Sequence, residues 1–216
     1  AVLSFNHFLE WVFRWSEDQV LEVALELAQK AVALDDASPL AHTQLGWMHL
    51  WRDRNYEQAI AEARRAVALD PNYAGGYARL GAILQYAGRP QEGIALVKKA
   101  MGLDPHFPFI YLFWLGEAYY FIGQYDEALA SLERSVTRNP NHLATRWLLV
   151  PTYVALGRHE EARAEIAEML RISPRISLQF LRPRLPYKNQ ATWERAVDAL
   201  RKAGLPEKSP GSSAAP

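Results

Sequence analysis

Residues 114–141 read WLGEAYYFIGQYDEALASLERSVTRNPN. A Leu-Gly pair (Leu115-Gly116) comes first, Gly123 follows seven residues later, then Ala128, and Pro140 closes the stretch. A glycine just past a helix end supplies the left-handed backbone that stops it, and a proline beyond a helix cannot continue it. Small residues inside helices mark places where two backbones approach closely. The stretch therefore reads as helix, tight turn, helix, stop.

The same pattern recurs on both sides. Pro71, Pro105, Pro140 and Pro174 are spaced 34, 35 and 34 residues apart. They close AVALDPN (66–72), AMGLDPH (100–106), SVTRNPN (135–141) and MLRISP (169–174). Small residues keep the same register at Ala24, Ala59, Gly93, Ala128 and Ala162. Leu45-Gly46, Leu80-Gly81 and Leu115-Gly116, then Leu149-Val150, mark the first helix of each unit, and Gly88, Gly123 and Gly157 mark the turns. A period near 34 is the signature of a helix–turn–helix solenoid. The spacing predicts helix pairs at 39–52 with 55–69, 73–87 with 90–103, 108–122 with 125–138, and 142–156 with 159–172. A divergent first unit covers 1–35, with helices at 1–15 and 19–35. One extra residue falls in the turn WRDRNY (51–56), and Pro151 lies inside a first helix, where it removes a hydrogen bond.

These rows resemble the tetratricopeptide repeat (TPR) family over residues 1–174. The resemblance implies an all-α, right-handed superhelical solenoid in which the first helix of each unit lines a concave surface. Residues next to each Leu-Gly pair, and one turn either side, then face that groove. The candidate partner-binding residues are Trp47, Trp51, Arg79, Tyr86, Phe113, Glu117, Tyr120 and Trp147. The groove is strongly aromatic, with Arg79 and Glu117 as its few charges, which suits an apolar or helical segment anchored by aromatic hot spots. The Lys/Asn/Arg clamp with which some family members hold a carboxylate is mostly missing, Arg79 alone resembling part of it. The same rings would serve equally as packing between helices, or as a seat for the chain's own terminus. Under the groove reading, Trp47→Ala or Tyr120→Ala should weaken partner binding and cost less stability than Leu80→Ala.

A solenoid leaves an apolar end that needs a cap. Residues 175–205 fit that role. ISLQFL (176–181) precedes a Pro-broken linker (182–189), and QATWERAVDALRKAG (190–204) places Trp193, Ala196, Val197 and Leu200 on one helical stripe, with Asn189 to start it and Gly204 to end it. Residues 206–216 have the composition of a flexible tail. The C-terminal string RPRLPYKNQATWERAVDALRKAGLPE (182–207), and WSED (15–18), also resemble the repeat region of bacterial proteins with a class III nucleotidyl cyclase domain far upstream. That resemblance implies a regulatory or docking module and carries over no catalytic residue. The chain begins without a methionine, which fits a fragment or processed product with a domain upstream.

Composition narrows the function classes. Lys+Arg and Asp+Glu are equal at 24 each. A nucleic-acid binder needs a basic footprint, so that class is disfavoured. There is no cysteine, which excludes disulfides and thiolate chemistry and fits a reducing, cytoplasmic setting. No apolar run reaches the length of a membrane span, about 20 residues. His42 and His49 share a helix face but lack a third ligand at useful spacing, so no metal or cofactor is expected. Glu160, Glu161, Glu165 and Glu168 lie among Arg158, Arg163 and Arg171, the pattern of a solvated helix with i,i+4 pairs. A basic stretch (Arg171, Arg175, Arg182, Arg184, Lys188) could meet an acidic partner or a lipid headgroup, but the favoured reading is that its arginines satisfy helix C-termini and nearby carboxylates. The chain reads as a non-enzymatic module whose partner is a protein or peptide, including an upstream part of the same polypeptide. Self-association into a homo-oligomer is the alternative.

Overall fold

The computed structural model describes residues 19–181 and 185–209. The helix expected at 1–15, Arg182, Arg184 and residues 210–216 lie outside that range. The described residues are all helix and turn, with no strand. The helices are α1 (Gln19–Leu34), α2 (Pro39–Trp51), α3 (Tyr56–Leu69), α4 (Ala74–Tyr86), α5 (Pro90–Leu103), α6 (Phe109–Phe121), α7 (Tyr125–Arg138), α8 (Leu143–Ala155), α9 (His159–Ile172), α10 (Leu178–Leu181) and α11 (Gln190–Ala203). They fall into two compact units, Ala1–Phe107 and Pro108–Pro216.

In the first unit α2 pairs with α3 and α4 with α5, and α1 packs on α2. The crossings are close because of the small residues. A Cβ on Gly81 would lie 2.8 Å from the Gly93 carbonyl oxygen, and one on Gly93 would lie 2.6 Å from that of Gly81. Real Cβ atoms do not approach so near, so Gly81→Ala must push α4 and α5 apart. Overpacking of this kind costs about 1–3 kcal/mol and outweighs the gain in helix propensity. Gly102, on α5, has open space around its Cβ position, so Gly102→Ala should instead stabilise by about 0.5–1 kcal/mol. Urea melts of the two variants should move in opposite directions.

The turns repeat one hydrogen-bonding scheme. Arg89 N–H donates to the Leu84 carbonyl at 2.8 Å, Gln124 to Tyr119 at 3.0 Å, and Arg158 to Tyr153 at 2.9 Å. In the α2–α3 turn the corresponding bond runs from Asn55 to His49 at 3.0 Å, one residue longer. That extra residue leaves Arg54 at φ 52°, the left-handed conformation that Gly88, Gly123 and Gly157 adopt elsewhere. Caps complete the helices: Ser38 accepts from Ala41 N–H, Asn55 from Gln58, His142 from Thr145 and Asn189 from Thr192.

In the second unit α6 pairs with α7 and α8 with α9. Helix α8 runs through Pro151. The C-terminal helix α11 packs on both α8 and α9, so it covers the end of the last hairpin and also reaches the first-helix side. Gly204 ends it at φ 105°. Residues 206–209 depart from the flexible tail expected of them. Leu178 N–H donates to the Pro206 carbonyl at 2.9 Å, Gln179 N–H to that of Glu207 at 3.0 Å, and the Ser209 hydroxyl to that of Arg175 at 2.5 Å. The reason is the short helix α10, whose first N–H groups need acceptors and find them there.

Candidate partner-binding site

Of the eight residues expected to face a groove, four lie in the first unit and four in the second. In the first unit Trp47 and Trp51 lie on α2, one turn apart, and Tyr86 ends α4. Their rings form a triangle with centroid separations of 5.7, 6.1 and 5.8 Å. The Arg79 guanidinium carbon sits 4.3 Å from the Trp47 ring centroid, a cation–π contact. Trp47 and Tyr86 are buried, while Trp51 and Arg79 are half-buried. Gln85, next to Tyr86, is 2% exposed, and neither end of its amide has a hydrogen-bond partner.

In the second unit the four expected residues separate. Phe113 packs edge-on to the imidazole of His142 at 5.3 Å, and Phe109 does so at 4.9 Å. Tyr120 meets Tyr125 at 5.6 Å and Phe121 at 5.9 Å, and burial pushes its phenol pKa upward. Glu117 and Trp147 meet the C-terminal segment instead. The Tyr187 hydroxyl donates to Glu117 Oε1. The Tyr187 ring lies 4.7 Å from Phe121, and Trp193 of α11 stands edge-on to Trp147 at 5.4 Å. Tyr187 and Trp193 face each other at 5.5 Å, which joins the two contacts into one patch. Glu117 is wholly buried. The first-helix face of this unit thus already seats a polypeptide segment, the chain's own.

Family models described as tetratricopeptide repeat match residues 21–74 and 122–179, together just over half of the chain. The chain belongs to the tetratricopeptide repeat family. Among curated relatives, the small glutamine-rich tetratricopeptide repeat-containing protein 2 of Saccharomyces cerevisiae is 35% identical over 51 residues, 24% of this chain and 15% of that protein. Its namesake in Mycosarcoma maydis is 32% identical over 89 residues, 38% of this chain and 23% of that protein. The chain therefore spans less than a quarter of the length of these relatives. A thermophilic TPR protein of Thermus thermophilus superposes with a TM-score of 0.64 at 23% identity, over 85% of this chain and 92% of that one. The type IV pilus biogenesis factor PilW gives 0.67 at 20% identity, over 94% and 89%. YrrB, a TPR protein with an unusual peptide-binding site, gives 0.52 at 22% identity, over 80% and 84%. These structural likenesses carry the fold. TPR proteins generally mediate protein–protein interaction.

The histidines and glutamates singled out from the sequence of this TPR chain have partners in the structure. His42 places Nδ1 2.6 Å from Glu62 Oε2 and Nε2 2.8 Å from the Asp36 carbonyl oxygen. His49 Nδ1 lies 3.0 Å from Asp53. Among the described residues no group of three or more His, Cys, Asp or Glu side chains could hold a metal ion, and no helix is long and apolar enough to cross a membrane. Glu165 pairs with Arg146 at 2.7 Å, Glu168 with Arg171 at 2.7 Å, Glu161 with Arg158 at 2.8 Å, and Glu160 with Arg163. Hydrogen bonds from Arg158 and Arg171 hold Glu161 and Glu168 below the usual carboxylate range. A general acid needs the opposite shift. Arg171, from the basic stretch, is thus engaged with its own helix.

Sequence reasoning missed two residues, Tyr187 and His142. Tyr187 lay in a segment read as linker. Its signal was an aromatic residue between two prolines and a helix, with a lone acidic residue on the expected groove face that needed a donor. His142 occupies the cap position after NPN, three residues before Thr145, a capping spacing that was open to reading. Burial also revises one energetic expectation: Trp47 is 4% exposed and Tyr120 6%, against 5% for Leu80. Truncating any of the three leaves a comparable cavity, so the smaller stability cost expected for the groove rings does not follow from their packing.

Proposed function

We propose that this chain is a protein-binding scaffold that receives an apolar or helical segment on its first-helix faces. Trp47, Trp51, Arg79 and Tyr86 serve in the first unit, and Phe113, Glu117, Tyr120 and Trp147 in the second. The observation that carries this reading is the second-unit face itself: a buried carboxylate among aromatic rings, with a polypeptide segment seated on it. The partner is a cytoplasmic protein segment. The resemblance of residues 182–207 to cyclase-linked repeat regions makes an upstream domain of the same polypeptide the first candidate.

A photo-crosslinking amino acid tests the faces. Placed at Trp51, Arg79 or Phe121, it should yield a discrete adduct in cells. Placed on the second helices, at Arg64 or Arg134, it should yield none. Adducts confined to the second-helix positions would move the interaction to the opposite surface. Two differently tagged copies, co-expressed, test self-association in the same material.

A further inference from the structure

His42 lies near the start of α2 and is 7% exposed. Its Nδ1 is 2.6 Å from Glu62 Oε2 on α3, and its Nε2 is 2.8 Å from the Asp36 carbonyl oxygen in the α1–α2 turn. An ionised carboxylate and a backbone carbonyl only accept hydrogen bonds, and a neutral imidazole has one N–H and one lone pair. With a single proton on the ring, one of the two contacts sets lone pair against lone pair. Both contacts are met by a ring that carries two protons. Helix α2 packs on α1, α3 and α4. Among the described residues, α3 brings Glu62 to the ring and the turn brings the Asp36 carbonyl, while no hydrogen bond or ion pair reaches it from α1 or α4. Asp35, in the same turn, spends a carboxylate oxygen on the Ala37 N–H.

The last repeat builds the same arrangement around a permanent cation. Arg146 stands four residues before Val150, as His42 stands four before Gly46, and Glu165 follows Ala162 by three residues, as Glu62 follows Ala59. Arg146 donates from Nη1 to Glu165 Oε2 at 2.7 Å, and from Nε to the Pro140 carbonyl, six residues back, at 2.7 Å. Asp36 is likewise six residues before His42. The second-helix carboxylate and the carbonyl of the preceding turn therefore meet a two-donor side chain in both repeats. The intervening units place Tyr77 and Leu112 at this position and do without it.

We propose that His42 is a proton-operated clasp between the α1–α2 turn and α3, closed while both ring nitrogens carry protons and open at the turn when one is lost. Imidazole is a stronger base than a carboxylate, so the second proton sits on the ring. When it leaves, the remaining N–H goes to Glu62, because a hydrogen bond to a charged acceptor is roughly twice as strong as one to a neutral carbonyl. The Asp36 link then parts. The turn's other bonds, Ala37 N–H to Asp35 Oδ1 at 3.1 Å and Ser38 N–H to the Asp35 carbonyl at 3.3 Å, are longer. The turn and the end of α1 loosen, while α2 and α3 stay joined. The sign is that of a proton bound more tightly in the folded state: the clasp holds on the acid side and is lost as the pH rises. An arginine keeps its charge throughout, so the last repeat stays closed.

Hydrogen exchange on the full chain, corrected for the intrinsic pH dependence of exchange, reads the clasp. From about pH 6 to about pH 8, the range in which histidine titrates, the amides of residues 31–38 should lose protection. The expected loss is about three- to tenfold, that of one hydrogen bond. His42→Arg, which copies the last repeat, should hold that protection constant over the same range. Protection independent of pH in the parent, or an equal fall in His42→Arg, would overturn the proposal. If His42→Arg does not fold, the ring itself decides, through imidazole nitrogen-15 spectra of the parent and of Glu62→Gln, whose amide can donate to Nδ1. The parent ring should keep its second proton to a higher pH than the ring of Glu62→Gln, and should lose it from Nε2. Equal titration in the two proteins, or loss from Nδ1, would reject the clasp.

Discussion

Trp193→Ala is expected to destabilise the second unit by about 3–5 kcal/mol, the usual range for a buried aromatic ring truncated to a methyl group. Trp193 is 2% exposed. It stands against Trp147 on one side and Tyr187 on the other, so its removal opens a cavity that two further rings line. Helix α11 packs on α8 and α9, and in a repeat array each element is stabilised chiefly by its neighbours. The loss should therefore appear first as reduced hydrogen-exchange protection in α11, α8 and α9, and then as an earlier urea transition. A double-mutant cycle with Trp147→Ala should show coupling of about 0.5–1.5 kcal/mol, the part due to the ring pair beyond buried area. A Trp193→Ala protein that melts with the parent would mean that α11 is not the cap.

The repeats were legible because their cause is local and periodic. Gly81 and Gly93 must be small for α4 and α5 to touch, and a residue under that constraint recurs every 34 or 35 positions, whatever surrounds it. Helix boundaries were accordingly within about one residue for α2 to α9. The site was legible only in part, because it depends on contacts between residues remote in sequence. Tyr187 and Glu117 are 70 residues apart, and no periodicity links them. Position on a first helix put Trp47, Trp51, Arg79 and Tyr86 together, and their side chains are in contact. It could not separate Phe113, which turns to His142, from Trp147, which turns to Trp193. It also could not tell a ring exposed on a groove from a ring buried under another segment, since both are aromatic residues on the same helix face. Arg54 shows the converse: an extra turn residue was evident from spacing, but its left-handed backbone became visible only with the missing glycine set beside three glycine-bearing turns.

Lowering the pH from 7 to 4 is expected to cost about 3 kcal/mol of stability through His142 alone. The imidazole packs against Phe109 and Phe113, and burial pushes its pKa down to about 4, from 6.5 for an unperturbed histidine. Its Nδ1 is within 2.7 Å of the Thr145 hydroxyl and accepts from the Thr145 N–H at 3.3 Å, so the neutral ring caps α8. Protonating Nδ1 would remove that acceptor and place a charge among aromatic rings. The sign follows from proton binding. Between pH 6.5 and 4 the unfolded chain holds a proton on His142 that the folded chain does not, so stability rises with pH across that window. The contribution is complete above about pH 6.5 and is lost as the pH falls toward 4, at about 1.4 kcal/mol per pH unit. The carboxylates whose pKa values are lowered by arginine hydrogen bonds, such as Glu161 and Glu168, are half-exposed surface groups whose ion pairs solvent screens. They therefore add little to the slope. Replacing His142 by Asn keeps a side-chain acceptor at the cap and removes the titrating group. The His142→Asn protein should lose some packing stability at pH 7, yet show a nearly flat dependence from pH 6.5 to 4.5, where the parent declines. Urea midpoints at half-unit intervals measure both curves. A parent slope near zero, or an equal slope in His142→Asn, would assign the acid sensitivity to other groups.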